Sequence, residues 1–295
     1  MYRIIQKRKY WFILSSALVI LSIISIIIFG LRVGIDYKGG AILVLESSDE
    51  NTKALIEESL REQGIDSYQL KPSGDDQYTL RLEPIDENQH DNIFISIKNK
   101  IENIVEIRYD NIGPTIGKDL TNKSILSVVL ASLAIILFIS FTFRKVPRPL
   151  SSWKFGILAV LALIHDLIIT IGVIALIGHF FVWMEIDSLF ITALLTIMGF
   201  SVHDTIVVYD RLRENFIKNP HKSVEESAEE SVNSTLVRSI NTSLTTIIVL
   251  SALFLIGGDS IKHFVLTLLI GILFGTYSSI FLASPLLASW HKNRK

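Results

Sequence analysis

The sequence predicts a membrane α-helical bundle of six transmembrane helices carrying one α+β extracytoplasmic domain. Composition is the first of three observations behind this. The chain has 295 residues, 49% of them hydrophobic and 19% charged, with a mean hydropathy of +0.46, too apolar for an ordinary soluble domain. The second is that its apolar residues are clustered in runs long enough to cross hydrocarbon, which takes about 18 or more residues with few charges. The third is that a single segment, Leu31 to Thr121, breaks these runs with soluble-domain composition.

The first run, Trp11 to Gly30, follows Arg3, Lys7, Arg8 and Lys9. It exceeds the roughly 7 to 15 apolar residues of a secretory signal core, and no small-x-small cleavage site follows, so it is expected to stay as a membrane anchor. The glycines of Gly34 to Gly40 (GIDYKGG) then let the chain turn into a strand. Ligand binding is the competing and weaker reading, because an anion cradle needs a helix N-terminus directly after the glycines and the sequence predicts a strand there, while Asp36 and Lys38 are candidates to contact the outer domain.

Within the outer segment the hydrophobic period changes several times. Ala41 to Leu45 reads as a strand, and Asp49 to Gln63 as a helix with Leu55, Ile56 and Leu60 on one face, closed by Gly64. Tyr68 to Leu70 and Tyr78 to Leu82 flank Pro72, Ser73 and Gly74, a hairpin signal. Ile93, Ile97 and Ile101 mark a second helix and Val105 to Tyr109 a last strand. The order βαββαβ is that of a ferredoxin-like domain.

Five further runs follow at Ser124 to Phe143, Phe155 to Gly178, Ile186 to Tyr209, Leu236 to Gly257 and Phe264 to Leu287. The expected organisation is residues 1–30 for the N-terminus and first span, 31–123 for the outer domain, 124–290 for the other five helices and 291–295 for a tail. Lys and Arg near the spans alternate from side to side. The N-terminus, the 144–154 loop (Arg144, Lys145, Arg148, Lys154), the 210–235 loop and the tail (Lys292, Arg294, Lys295) are basic, whereas residues 179–185 hold no Lys or Arg. The inside rule therefore places both termini in the cytoplasm.

Formal net charge is -1, and no basic face remains for nucleic acid once the anchoring charges are assigned. Cysteine is absent, which removes disulfides, thiol catalysis and Cys-type zinc sites. His165 and His203 lack the further ligands a metal site needs, so no metal or other cofactor is expected. With no HExxH, GxSxG, P-loop or kinase signature, no enzyme is predicted.

Charges inside a bilayer are expensive and need a partner or a water-filled path. Asp166, beside His165, lies well within the third span; Asp204, beside His203, lies in the inner half of the fourth; Arg238 opens the fifth. Two readings stand side by side: Arg238 snorkels and Asp204 pairs with it to fix packing, or these groups carry ion-coupled function. Helical spacing aligns Ser234, Arg238, Asn241, Thr242 and Thr245 in one polar stripe that cannot comfortably face lipid. Ala159, Ala162, Asp166 and Thr170 share a small-residue face on the third span, and Thr267, Gly271, Gly275 and Ser279 form a small-xxx-small packing seam on the sixth.

Five ordered motifs resemble the SecF family of the bacterial SecD–SecF protein-export apparatus: GIDYKGG (Gly34 to Gly40), IGPTIGKDL (Ile112 to Leu120), LALIHDLIIT (Leu161 to Thr170), GFSVHDTIVVYDRLREN (Gly199 to Asn215) and RSINTSLTT (Arg238 to Thr246). That resemblance implies one half of a resistance-nodulation-division-like membrane core, paired with SecD and associated with the SecY/SecE/SecG channel and the SecA motor. It implies residence in the bacterial inner membrane, among membrane lipid, and use of the proton motive force to help export preproteins. By the same resemblance Asp204, Arg238 and Asp166 are the proton-coupling residues, with His165, His203, Thr205, Asn241, Thr242 and Thr245 as their polar support. A small-molecule exporter of the same superfamily and a non-transporting scaffold are the competing functions.

Overall fold

The computed structural model describes residues 2–49, 51–73, 76–146, 151–181 and 183–292. Gly74, Arg148, Arg294 and Lys295, which entered the hairpin and orientation readings, lie outside the described residues. The chain forms two compact units, one of residues Met1–Arg32 with Ile125–Lys295, the other Val33–Ser124.

The smaller unit begins with one helical turn, α2 (Ile35–Lys38), inside the segment the sequence reads as a glycine turn. There follow β1 (Gly40–Glu46), α3 (Thr52–Glu62), β2 (Tyr68–Pro72), β3 (Gln77–Leu82), α4 (Glu87–Lys100) and β4 (Val105–Ile112), after α1 (Arg8–Phe29) of the larger unit. The strands pair antiparallel in the order β2-β3-β1-β4. Alternation along β1 turns Ala41, Leu43 and Leu45 into a core shared with Ile56 and Leu60 of α3, Leu80 of β3 and Ile93 and Ile97 of α4. A capping box starts α4: the Asp86 side chain accepts from Gln89 N–H at 2.7 Å, and Gln89 accepts from Asp86 N–H at 3.0 Å.

Two of the quoted motifs meet here. Gly39, at φ +78°, would place a Cβ 3.1 Å from Ile112 O and from Pro114 Cα. A Cβ on Gly117 would lie 2.8 Å from the Tyr37 carbonyl oxygen. These glycines let GIDYKGG and IGPTIGKDL pack backbone to backbone.

The helix α5 (Pro114–Thr142) starts in the smaller unit and passes at Ile125 into the larger one, which also contains α6 (Ser152–Phe180), α7 (Ser188–Lys218), α8 (Val224–Ile256), α9 (Asp259–Ser278) and α10 (Ser284–Lys292). Among the described residues six stretches of helix, α1, α5, α6, α7, α8 and the α9–α10 continuum, are long and apolar enough to cross a membrane. Between α9 and α10 the helix passes through a π-turn at Ser279–Ala283.

Several helices outrun their apolar runs, because polar residues continue the helix beyond hydrocarbon. The 210–235 segment, expected as a loop, is mostly helical. Side-chain pairs one turn apart, Arg213–Asp210 at 3.1 Å, Arg211–Glu214 at 2.7 Å and Lys218–Glu214 at 2.6 Å, carry α7 to Lys218. A second capping box, Ser223 with Glu226, starts α8 at once. Likewise α5 begins at Pro114, a residue suited to a first helical turn, rather than at Ser124.

Candidate functional site

The centre of the bundle is built on close helix approach. A Cβ on Gly271 would fall 2.1 Å from Ile197 Cδ1, and one on Gly275 3.0 Å from Ser201 Cβ, so these glycines seat α9 directly on α7. Ala159, Ala162, Asp166 and Thr170 of α6 are all buried. Gly172 brings α6 equally near α1, where a Cβ would lie 2.3 Å from Ser22 Cβ.

Asp166 has no exposure to solvent. Its Oδ2 accepts from Ser201 Oγ of α7 at 2.7 Å and from Ser278 Oγ of α9 at 2.6 Å, while Oδ1 meets His165 Nδ1 at 3.0 Å. A buried carboxylate needs such donors, and here they come from two neighbouring helices, so Asp166 joins three helices at one point. His165 Nε2 is buried with no hydrogen-bond partner among the described residues.

Asp204, one helical turn beyond Ser201, is held differently. Oδ1 accepts from Ser239 Oγ of α8 at 2.5 Å, and the buried Oδ2 has no hydrogen-bond partner among the described residues. Beside it is a cavity of ≈ 10 Å³ lined by His203, Arg238, Thr242 and Ser243 together with Phe200 and Val207. That volume is about the least that admits one water molecule. No ion pair within 4.0 Å joins Asp204 to Arg238 among the described residues; the two share the cavity instead. Thr205 contacts Ser279 at the head of the π-turn, Oγ1 to Oγ at 2.9 Å. Farther along, Tyr209 donates to Ala283 O at 3.3 Å from a fully buried position.

The fold thus brings Asp204, Arg238, His203 and Thr242 to one place, and Asp166 and His165 to another one turn away along α7. Asn241 and Thr245 do not enter either cluster. They lie on the exposed face of α8 with Ser234 and Arg238. The face of α8 that packs inward is instead Ser227, Ser231, Thr235, Ser239 and Ser243, all buried. These recur every fourth residue, a signal present in the sequence but overlooked beside the more polar stripe. Ser201 and Ser278, the donors to Asp166, carry no such signal, because small hydroxyl residues within an apolar run resemble helix packing.

Chemically the two acids differ. Asp166 has hydrogen-bond partners at both oxygens, and they link α6 to α7 and α9. Asp204 keeps one oxygen without a hydrogen-bond partner among the described residues and lines a water-sized space with the Arg238 guanidinium, an arrangement suited to taking up and releasing a proton. Among the described residues, no three His, Cys, Asp or Glu side chains cluster as a metal site would require.

Six long apolar helices among the described residues, two buried carboxylates on neighbouring helices and one small α+β unit define a multi-pass membrane protein. Residues 93–293 match the family described as "Protein export membrane protein SecD/SecF, C-terminal". The chain is 41% identical to the protein translocase subunit SecF of Thermobaculum terrenum, over 97% of this chain and 93% of that protein. With SecF of Synechocystis sp. identity is 37%, over 98% and 93%. The crystal structure of SecDF, a translocon-associated membrane protein from Thermus thermophilus, superposes with a TM-score of 0.82 at 28% identity, over 99% of this chain. SecDF in its super-membrane-facing form gives 0.70. This chain spans 39% of the length of SecDF. It belongs to the SecF family of protein translocase subunits.

Proposed function

We propose that this chain pairs with a separate SecD subunit and uses the proton motive force to promote preprotein movement through the SecY/SecE/SecG channel driven by SecA, without enzymatic chemistry of its own. In this reading it crosses the inner membrane six times, both termini are cytoplasmic, and the small unit is an extracytoplasmic ferredoxin-like domain. The basic residues flanking alternate spans support that orientation. The observations that carry the coupling role are that the buried Asp204 Oδ2 has no hydrogen-bond partner among the described residues and that Asp204 lines a water-sized cavity together with Arg238. Support for SecD comes from the exposed stripe of Arg238, Asn241, Thr242 and Thr245, which lipid would not solvate.

Protonation of Asp204 weakens its attraction to Arg238, whose own charge is fixed, and so changes which packing of α7 against α8 is preferred. One charge crossing 100 mV supplies about 2.3 kcal/mol, enough to bias a two-state cycle by more than tenfold. Export into vesicles with an imposed proton gradient, with and without an uncoupler, tests this. Asp204→Asn and Arg238→Met are expected to assemble with SecD yet lose the response to the gradient. If Asp204→Asn responds like the parent, the carboxylate is structural and the chain serves as a scaffold.

A further inference from the structure

We infer that the first residues of the chain form a clasp on the cytoplasmic half of α8, and that Glu229 is the positioning residue that closes it and keeps Ser239 and Arg238 in register with Asp204. The inference rests on the proton-coupling role proposed for Asp204. Ahead of α1, residues 3–7 make a turn in which Lys7 N–H donates to Arg3 O at 3.2 Å. The amides at the start of such a turn have no acceptor within it and point the same way, as at a helix N-terminus. Glu229 fills that position. Its Oε1 accepts from Ile4 N–H at 2.6 Å and Ile5 N–H at 3.2 Å, and its Oε2 from Gln6 N–H at 3.2 Å.

One turn further along α8, Asn233 brackets Tyr2, accepting from its N–H at 2.7 Å and donating to its carbonyl at 2.9 Å. One turn back, Glu225 pairs with Arg8. Ile4 and Ile5 are buried at 5% and 1% exposure, and Glu229 at 7%. A carboxylate so buried is stable only with these donors in place. Three side chains on one face of α8, at successive turns, therefore hold one short segment: Asn233 and Glu229 read its backbone, and Glu225 pairs with the Arg8 side chain. Exposed termini normally fray; this one is tied by polar contacts at both of its ends and by an apolar pair between them.

The segment matters because of where α8 leads. Glu229, Ser239 and Ser243 lie on the buried face of that helix, and Ser239 is the donor to Asp204. Closing the clasp fixes the rotation and height of α8 relative to α1, and thereby where the hydroxyl and the guanidinium meet the acid.

The test uses the full chain co-assembled with its SecD partner in nanodiscs and vesicles. In Glu229→Ala, amide exchange at Ile4, Ile5 and Gln6 is expected to rise at least about tenfold, since charge-assisted bonds are lost, and gradient-driven export to fall several-fold. The chain has no native cysteine, so Tyr2→Cys with Asn233→Cys in the Glu229→Ala background can re-close the clasp by one disulfide. Oxidation is expected to restore the gradient response and reduction to abolish it, while Ile4, Ile5 and Gln6 stay fast-exchanging because the disulfide replaces the tether and not the Glu229 acceptor. Unchanged exchange in Glu229→Ala would overturn the clasp. Faster exchange with an unchanged gradient response, or a formed disulfide without recovery of that response, would overturn the positioning role. Asp204→Asn should leave exchange at Ile4 to Gln6 untouched; a parent with no gradient response would defeat the proton reading while leaving the clasp standing.

Discussion

Replacing Gly172 by alanine tests the account of how α1 is held. A Cβ there would lie 2.3 Å from Ser22 Cβ, 2.5 Å from Ser22 Cα and 2.8 Å from Ser22 O. None of these atoms can swing aside, because each is backbone or attached directly to it. Carbon contacts are optimal at about 3.5–4.0 Å, so α1 and α6 must separate locally by roughly 1.2–1.7 Å. Separation also stretches the bond from Ser25 Oγ to Gly172 O, now 2.7 Å. Overpacking of this kind costs about 1–3 kcal/mol, and a hydrogen bond between membrane helices averages about 0.6 kcal/mol, so a loss of roughly 2–4 kcal/mol is expected. Gly199→Ala is the control, since nothing lies within 4 Å of its added Cβ; in a helix interior it should be neutral or stabilising by up to about 1 kcal/mol. Unfolding by SDS in mixed micelles would measure both. Ser22→Gly in the Gly172→Ala background should recover only part of the loss, because Ser22 Cα and O remain. Gly172→Ala within about 0.5 kcal/mol of Gly199→Ala would refute the reasoning.

Asp166→Asn should lower stability in the same assay by about 1.5–3 kcal/mol, through loss of charge-assisted bonds from Ser201 and Ser278; parental unfolding would mean the joint is not needed. At His90, burial lowers the pKa, but hydrogen bonds to Glu106 at 2.8 Å and Asp91 at 3.1 Å outweigh it and raise the value above the usual 6.5. The pairing therefore stabilises fully below about pH 6.5 and fades as pH rises through the higher folded value. Amide exchange of α4 and β4 in His90→Gln should accordingly exceed the parent's at pH 6 and approach it above pH 8, and a gap that widened with pH would contradict this. Asp86→Ala, which removes the α4 capping box, should speed exchange at Gln89 by an amount equivalent to about 1 kcal/mol; no change there would show the cap to be dispensable.

Much of the architecture is legible in the sequence because bilayer and sheet impose strong periods. Apolar runs mark the six long helices, and the alternation of Ala41, Leu43 and Leu45 marks a strand. Helix ends are less legible: α7 and α8 continue past their apolar runs on ion pairs and a capping box, which hydropathy does not register. Burial cost pointed to Asp166, Asp204 and Arg238, since few residues in those runs carry charge. It could not tell which oxygen of each acid is satisfied, because the deciding donors, Ser201, Ser239 and Ser278, are ordinary small residues. Nor could it reveal the Glu229 contacts, which join residues more than two hundred positions apart.

The π-turn at Ser279–Ala283 amounts to one residue more than a regular helix of that rise would contain. Each residue of an α-helix turns the chain by about 100°, so the extra one rotates everything beyond it by that angle. Just before the bulge and at its first residue, Ser278 and Ser279 look toward Asp166 and Thr205; after it, Leu287 and Ala288 face inward, fully or almost fully buried. Removing a single residue from the turn would let the helix relax into a regular spiral and unscrew its final segment, swinging Leu287 outward and carrying Trp290 away from Trp153, against which it now packs edge-on at 5.8 Å. The last stretch of the chain is in this sense keyed to its place by an irregularity, as a thread is locked by one deformed turn.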